Sequence, residues 1–376
     1  MNKVSGLLSI TTADIVGAGI TAIFWFILAA LMLPEEYGQI HYFMGIAGLA
    51  YGISLIGTSE VVTVYVAKKI QLQSTLVFLG LIVGCISAII ISIIFSRVDV
   101  SFLLIAFILN DLAIGYLLGK KFFSQYSKYI ITQKSLTLVL GILFYSIAGA
   151  DGIIFALALS YIHFIIIIIK IFKNSVINFT LLKKHVNFVG NNYLIHISGT
   201  VRSQVDKILI APLIGFEILG NYALALQAYA LLMVFSNIFY KYILPHDSSG
   251  EKIHKIKYLM ISGSIGITIF GLTVLPIILP YVFPRFIESG TAIQIISLAV
   301  IPATVSLLYT SKFLGMENAK MVLIGRILMA VSIVVSLLVL TPIYGISGAA
   351  SAFVISGIVN CIFMFIAYKF QTEKSV

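Results

Sequence analysis

Residues 74–95 read STLVFLGLIVGCISAIIISIIF. No charge interrupts these residues, and at ~1.5 Å per residue a helix of this length covers about the ~30 Å hydrocarbon core of a bilayer. The apolar side chains run on without the alternation of a barrel strand. In lipid the backbone finds no water to bond, so a run of this kind must satisfy itself as a helix. The stretch therefore predicts a membrane-spanning helix.

The rest of the chain repeats the pattern. Of 376 residues, 60% are hydrophobic and 10% are charged. An ordinary soluble domain carries roughly 25% charged and 45–50% apolar residues. Such a balance excludes a soluble enzyme, a disordered chain and a nucleic-acid-binding domain. Twelve spans are expected, near 7–33, 40–66, 74–95, 99–119, 129–148, 151–172, 187–214, 217–244, 256–282, 288–311, 319–340 and 345–369. The start, with Asp14 inside its apolar run and no small-residue cleavage pattern, reads as a first span and not as a signal peptide. Cys85 and Cys361 lie in apolar runs and suggest neither a disulfide framework nor a metal site.

The net charge of +10 would suit nucleic acid if it were spread evenly. It is not. The odd loops hold Glu35, Glu36, Asp99, Asp151, Glu217 and Glu288, with Arg97 and Arg285 as their only cations. The even loops and both ends hold 18 lysines: 3, 68, 69, 120, 121, 128, 170, 173, 183, 184, 241, 252, 255, 257, 312, 320, 369 and 374. Short loops rich in Lys stay in the cytoplasm. Both termini are expected there, in a cytoplasmic (inner) membrane, with the lysines forming a rim against anionic lipid headgroups. All loops are short, leaving no room for a soluble catalytic domain.

The two halves resemble each other. LMLPEEYGQI follows the first span and APLIGFEILGNY the seventh, and Glu35 and Gly38 match Glu217 and Gly220 at an offset of 182. Gly149, Gly152, Ala156 and Ser160 match Gly345, Gly348, Ala352 and Ser356 at 196. Lys120, Lys128 and Lys134 match Lys312, Lys320 and Arg326 at 192. Glycine and acidic residues recur at many membrane turns, but three segments matched in the same order favour duplication. An even number of spans per repeat makes the repeats parallel, related by a pseudo-two-fold axis along the membrane normal. The expected fold is all-α: a six-helix bundle over 1–175, a cytoplasmic linker over 176–186 and a second six-helix bundle over 187–376. Two such bundles can rock to open a cleft to either side, which points to a transporter.

Charges within spans are costly, at least ~2.5–3.5 kcal/mol each, so they mark cavities or partners. Here they are Asp14, Glu60, Asp111, Lys134, Arg202, Asp206, Lys207 and Arg326, with His163 and His196 also mid-span. Arg202, Lys134 and Arg326 suit an anionic headgroup, Arg as a planar fork and Lys as a point charge. Other readings stand beside this. Arg202 and Asp206, at i and i+4, could neutralise each other. Lys134 and Arg326 could snorkel to the surface. Glu60 could pair with either cation. Asp14 and Asp111 could be proton or sodium sites or hydrogen-bonded packing residues, and His163 reads as a satisfied core histidine. Pro212, Pro276, Pro280 and Pro302 should bend their spans. No GxSxG, HExxH, CxxC or P-loop pattern occurs, so neither hydrolytic chemistry nor a bound cofactor or metal is implied.

At these residues the chain resembles a known family. LAALMLPEEYGQI and IGTSEVVTVYVAKK resemble the first two helices of the polysaccharide flippases of the multidrug/oligosaccharidyl-lipid/polysaccharide exporter superfamily. VRSQVDKILIAPLIGFEILGNYALALQ is similar to that family's seventh-helix signature. GMENAKMVLIGRILM and TPIYGISGAASAFVIS resemble its eleventh and twelfth helices. The resemblance implies an O-antigen or capsule flippase of the Wzx type. Such a protein is no enzyme. It moves a polyprenyl-diphosphate-linked oligosaccharide between leaflets by alternating access, driven by a proton or sodium gradient, beside other membrane proteins of polysaccharide assembly. Arg202 and Arg326 carry over as diphosphate contacts. The family often has Arg late in helix 2 where this chain has Val64, so no helix-2 contact carries over. The chain is short for the family, and no helices beyond twelve are expected. The rival within the superfamily is a multidrug antiporter, which needs an acidic, aromatic cleft. The mid-span charges, four of each sign, disfavour it. A membrane enzyme of polysaccharide assembly would need larger outer loops than these.

Overall fold

The computed structural model describes residues 3–248, 253–316 and 318–373, and all regular structure among them is helical. Lys252 and Lys374, counted above, lie outside the described residues. The helices are α1 (Lys3–Leu31), α2 (Pro34–Ser54), α3 (Ser59–Ala67), α4 (Gln73–Phe95), α5 (Val98–Gly119), α6 (Phe123–Ala148), α7 (Asp151–Leu159), α8 (Ile165–Asn174) and α9 (Phe179–Lys184). They continue as α10 (Val186–Ile214), α11 (Phe216–Ser248), α12 (His254–Thr273), α13 (Leu275–Val282), α14 (Ser289–Ser297), α15 (Val300–Gly315) and α16 (Ala319–Glu373).

Nine helical runs are long and apolar enough to span, α7–α8 and α14–α15 each counting as one. The bent pair α2–α3 is a tenth. At 55 residues α16 is twice the length a bilayer needs, and it turns at Gly345, which leaves helical geometry with φ 57° and ψ −133°. It supplies two spans. Helix α10 has the length, 29 residues, but its polar side chains keep it off the apolar roster. With α10 the twelve expected spans are all present. The breaks at α12/α13 and α14/α15 fall within three residues of Pro276 and Pro302, as a missing N–H and a fixed φ require. Pro212 and Pro280 sit inside α10 and α13.

The duplication is visible in backbone detail. Gly149 and Gly345 both take a positive φ, 62° and 57°, with ψ −148° and −133°. A Cβ on Gly152 would meet the Phe144 carbonyl oxygen at 2.7 Å. On Gly348 it would meet that of Leu340 at 2.1 Å. Residues 144 and 340 are themselves 196 apart. Ser160 and Ser356, both buried, donate to the carbonyls three residues back, Leu157 and Phe353.

The chain folds as two compact units, one of residues 1–28 and 43–204, the other of 29–42 and 205–376. This grouping cuts through α1, α2 and α10, and the helix α9 lies within the stretch 176–186. The reason is local. The hairpin tip 29–42 packs on α11, and the α10 stretch up to Gln204 packs on α2.

In the first unit α5 is the enclosed centre, packed by α3, α4, α7 and α8. In the second, α11, α14 and α15 are enclosed. Hydroxyl pairs tie helices across the apolar interior: Ser54 with Ser87 at 2.9 Å, Ser92 with Ser101 at 2.8 Å, Ser74 with Ser175, and Ser236 with Thr304 at 2.7 Å. Each such bond within a membrane contributes ~0.6–2 kcal/mol. Between α4 and α5, Arg97 is held by Asp99 at 2.8 Å and Asp151 at 3.6 Å and lies over Phe43. The Asp99 hydrogen bond holds its guanidinium pKa above the ordinary value.

Candidate functional site

The second span is broken. Ser54 ends α2, Ser59 begins α3, and the two helices bend by 40° across the break. No proline is involved. Gly57, Thr58 and Ser59 make the turn, and Thr58 caps α3 by accepting from Val61 N. A Cβ at Gly57 would meet Leu76 at 2.6 Å, so only glycine lets the turn press against α4. The freed N–H of Ser59 goes to Asp111 Oδ2 at 2.7 Å. The α5 carboxylate thus caps a half-helix inside the membrane, where the positive end of the helix dipole favours it.

Around Asp111 the first unit gathers acidic and aromatic groups. Glu60 lies close enough to couple electrostatically with Asp111, Tyr51 and His196. Rings form a continuous edge-on set: Tyr51 with His196 at 5.4 Å, Tyr51 with Phe107 at 5.9 Å, Phe107 with Tyr161 at 5.7 Å. Glu60 forms no ion pair among the described residues, and its carboxylate accepts from the Ser59 hydroxyl at 3.4 Å.

Helix α10 reaches this cluster through a glycine seam. Gly48 and Gly52, spaced i and i+4 on α2, face Gln204 and Thr200, which come within 2.8 and 2.4 Å of where a Cβ would stand. Tyr193 donates to the Ile53 carbonyl at 2.6 Å at the end of the seam. Arg202 lies between Thr200 and Gln204 in sequence, two residues from each. It is therefore turned to the opposite side of α10 from the seam, and it is half-buried.

The cations at matched positions share an orientation. On α16 the packed stripe is Val322, Met329, Ala330, Ile333 and Leu337, while Ile327, Leu328, Val331, Val335 and Leu338 face outward. Arg326 is four residues after Val322 and three before Met329, so it lies on the packed stripe. It is nonetheless exposed, with Tyr240 of α11 near enough to feel its charge. Lys134 on α6 likewise sits three residues before buried Thr137 and seven before buried Gly141. Its stem lies 3.3 Å from the Cβ position of Gly17 on α1. Both cations thus lie on the packed side of their helices and not on the outward one.

The remaining charged residues are more ordinary. Asp14 accepts from the Tyr126 hydroxyl at 2.9 Å. Asp206 is buried. Its recorded partners are Lys207 at 3.4 Å, on its own helix, and the Tyr222 hydroxyl of α11 at 3.2 Å. His163 donates from Nε2 to the Tyr129 carbonyl at 3.1 Å, while its Nδ1 is buried with no hydrogen-bond partner among the described residues. Sequence reasoning missed the break at 55–58 and the roles of Tyr51 and Tyr161. The Gly-Thr-Ser run was the available signal, since Gly ends helices and Thr caps them.

No protein-family model matches the chain, and no curated protein sequence does. Solved structures match along its length. An inward-facing multidrug resistance MATE family transporter of the MOP superfamily aligns at TM-score 0.69 and 16% identity, over 96% of this chain and 94% of that one. The lipid II flippase MurJ, in an inward closed conformation, aligns at 0.73 and 14%, over 98% and 88%. A MOP superfamily transporter from Pyrococcus furiosus, described as having a binding pocket of reverse polarity, aligns at 0.58 and 14%, over 97% and 95%. The chain has the fold of these MOP superfamily transporters.

Proposed function

We propose that the chain is an alternating-access flippase that carries a polyprenyl-diphosphate-linked oligosaccharide across the cytoplasmic membrane. The observation that carries this reading is the placement of Lys134 and Arg326. They are matched in the two repeats, and each sits on the packed side of a helix at the edge of its span. A cation held there has a polar ligand or water as its natural partner, and a diphosphate offers several oxygens to a guanidinium fork. Arg202 is assigned the same task on α10. The divisions 1–175 and 187–376 are taken as the two moving bundles, with both termini and the lysine-rich loops in the cytoplasm. The MATE and MurJ likenesses support a transporter, and the chemistry of the cations selects the anionic amphiphile.

The coupling ion is assigned to the break in the second span. Asp111, with Glu60 close by, offers carboxylates at a half-helix end, the arrangement by which discontinuous helices hold a coupling ion such as a proton or sodium. Asp14 and Asp206 act as hydrogen-bonded or ion-paired packing residues in this reading. Other membrane proteins of polysaccharide assembly are natural partners.

One observation favours a second reading. Asp111, Glu60, Tyr51, Phe107 and Tyr161 form the kind of acidic, aromatic surface that binds an organic cation, which fits a multidrug antiporter. One assay separates the two. Vesicles with and without the protein are loaded with lipid-linked oligosaccharide or with a fluorescent organic cation. Protein-dependent appearance of the sugar in the far leaflet, lost in Arg326→Ala, supports the flippase. Ion-driven movement of the dye alone, lost in Asp111→Asn, would instead establish the antiporter.

A further inference from the structure

The repeat-matched glycines 38 and 220 do more than mark a turn. They touch. A Cβ on Gly38 would lie 1.9 Å from the Phe216 carbonyl oxygen, and one on Gly220 would lie 1.8 Å from that of Pro34. The contact is reciprocal, because residues 34 and 216 are 182 apart, as are 38 and 220. The starts of α2 and α11 therefore cross backbone to backbone about a local two-fold. No side chain fits between them, and each glycine Cα–H points at a carbonyl.

The crossing holds a strap. The chain leaves the first unit after Leu28, runs through 29–42 as part of the second, and returns at Phe43. Three further contacts fasten it. Arg285 donates to the Leu31 carbonyl at 3.0 Å, capping the end of α1. Tyr37, fully buried, meets Phe286 edge-on at 5.5 Å. Tyr42 meets Phe216 at 5.4 Å. Asn221 accepts from Ser289 N at 3.0 Å and fixes the 286–289 turn to α11. All of these contacting residues belong to the second unit, and Glu35, Glu36, Glu217 and Glu288 stand beside them in sequence.

We propose that the strap 29–42 is a latch, closed by the Gly38–Gly220 crossing, that must part when the acidic-loop side opens. The contact suits a latch on physical grounds. It is made of backbone and weak Cα–H donors, so parting leaves no buried charge unpaired. It is also intolerant of bulk, because a single methyl must move a carbonyl from under 2 Å to at least 3.0 Å. A side chain at either glycine would hold the latch ajar. The inference rests on the alternating-access reading, but its test needs no substrate, so its failure leaves the substrate assignment unaffected.

Tyr37→Cys in a Cys85→Ser/Cys361→Ser background places a thiol under the closed strap. An impermeant maleimide is applied from the acidic-loop side. With both glycines present, labelling should be slow yet measurable, and faster under an ion gradient that drives turnover. Gly38→Ala or Gly220→Ala should raise the rate roughly tenfold or more, as overpacking of a tight contact displaces a closed state. Gly266→Ala, where a Cβ would meet nothing within 4 Å, should leave it unchanged. Should Tyr37→Cys fail to reach the membrane, Phe286→Cys reports from the other side of the same contact. Labelling that never occurs under any gradient, that Gly220→Ala leaves unchanged, or that Gly266→Ala raises equally, overturns the latch.

Discussion

Arg326 and Asp111 hold opposite charges in very different settings. Arg326 is exposed and forms no ion pair among the described residues, so its charge is available to a ligand. Removing it should therefore spare folding and abolish function. Arg326→Ala is expected to keep a wild-type Tm and to lower flipping at least tenfold, the loss of one charge-assisted contact of ~1.5–3 kcal/mol. Arg326→Lys keeps the charge without the fork and should fall between. Initial rates in the vesicle assay decide, and normal rates in Arg326→Ala would remove the residue from the mechanism. Asp111 is structural as well, because its carboxylate satisfies the Ser59 N–H. Asp111→Asn keeps an acceptor and should fold but lose ion dependence. Asp111→Ala strands a buried donor and should cost ~1–3 kcal/mol of stability, read as a lower Tm in detergent.

At the scale of elements, glycines set how closely helices meet and where they turn. Gly345 holds a conformation that residues with a side chain rarely adopt, and nothing crowds its Cβ position. Gly345→Ala should thus cost only the backbone strain, ~1–3 kcal/mol. Gly52 has the reverse problem. Its φ is ordinary but Thr200 stands 2.4 Å from its Cβ position, so Gly52→Ala should pry α10 from α2 and lower the Tm. The two predictions differ in rescue. Thr200→Gly should restore the thermal stability of Gly52→Ala, whereas no side-chain truncation should restore Gly345→Ala. Equal failure of both rescues would show that the seam does not govern α10 packing. The 40° bend at 55–58 was not legible, because a short polar turn between apolar runs reads the same whether the flanking helices continue straight or break. Pro276 and Pro302 were legible as break points, because a missing N–H acts through the chain alone.

At the scale of the whole molecule, charge determines orientation. If the lysine-rich loops face the cytoplasm, Lys173→Cys and Glu288→Cys, each on the same thiol-free background, should react with an impermeant maleimide from opposite sides. Labelling of Glu288→Cys only in intact cells and of Lys173→Cys only in inverted vesicles is the expected result. The reverse pattern would invert the topology and with it the proposed direction of transport.

The sequence alone determined the helical class, the twelve spans, the lysine asymmetry and the duplication. Each depends on residues near one another in the chain, or on a count, and lipid permits a long apolar run little other than a helix. Only the tertiary structure decided which charges matter together. Asp206 accepts from Lys207 and from the Tyr222 hydroxyl of α11. Glu60 lies near Asp111 and Tyr51, and the strap 29–42 packed on the second unit. Such choices are made by side chains brought together across many residues of intervening chain, where close packing and the cost of an unpaired charge in a low-dielectric interior select one partner among several that spacing allows.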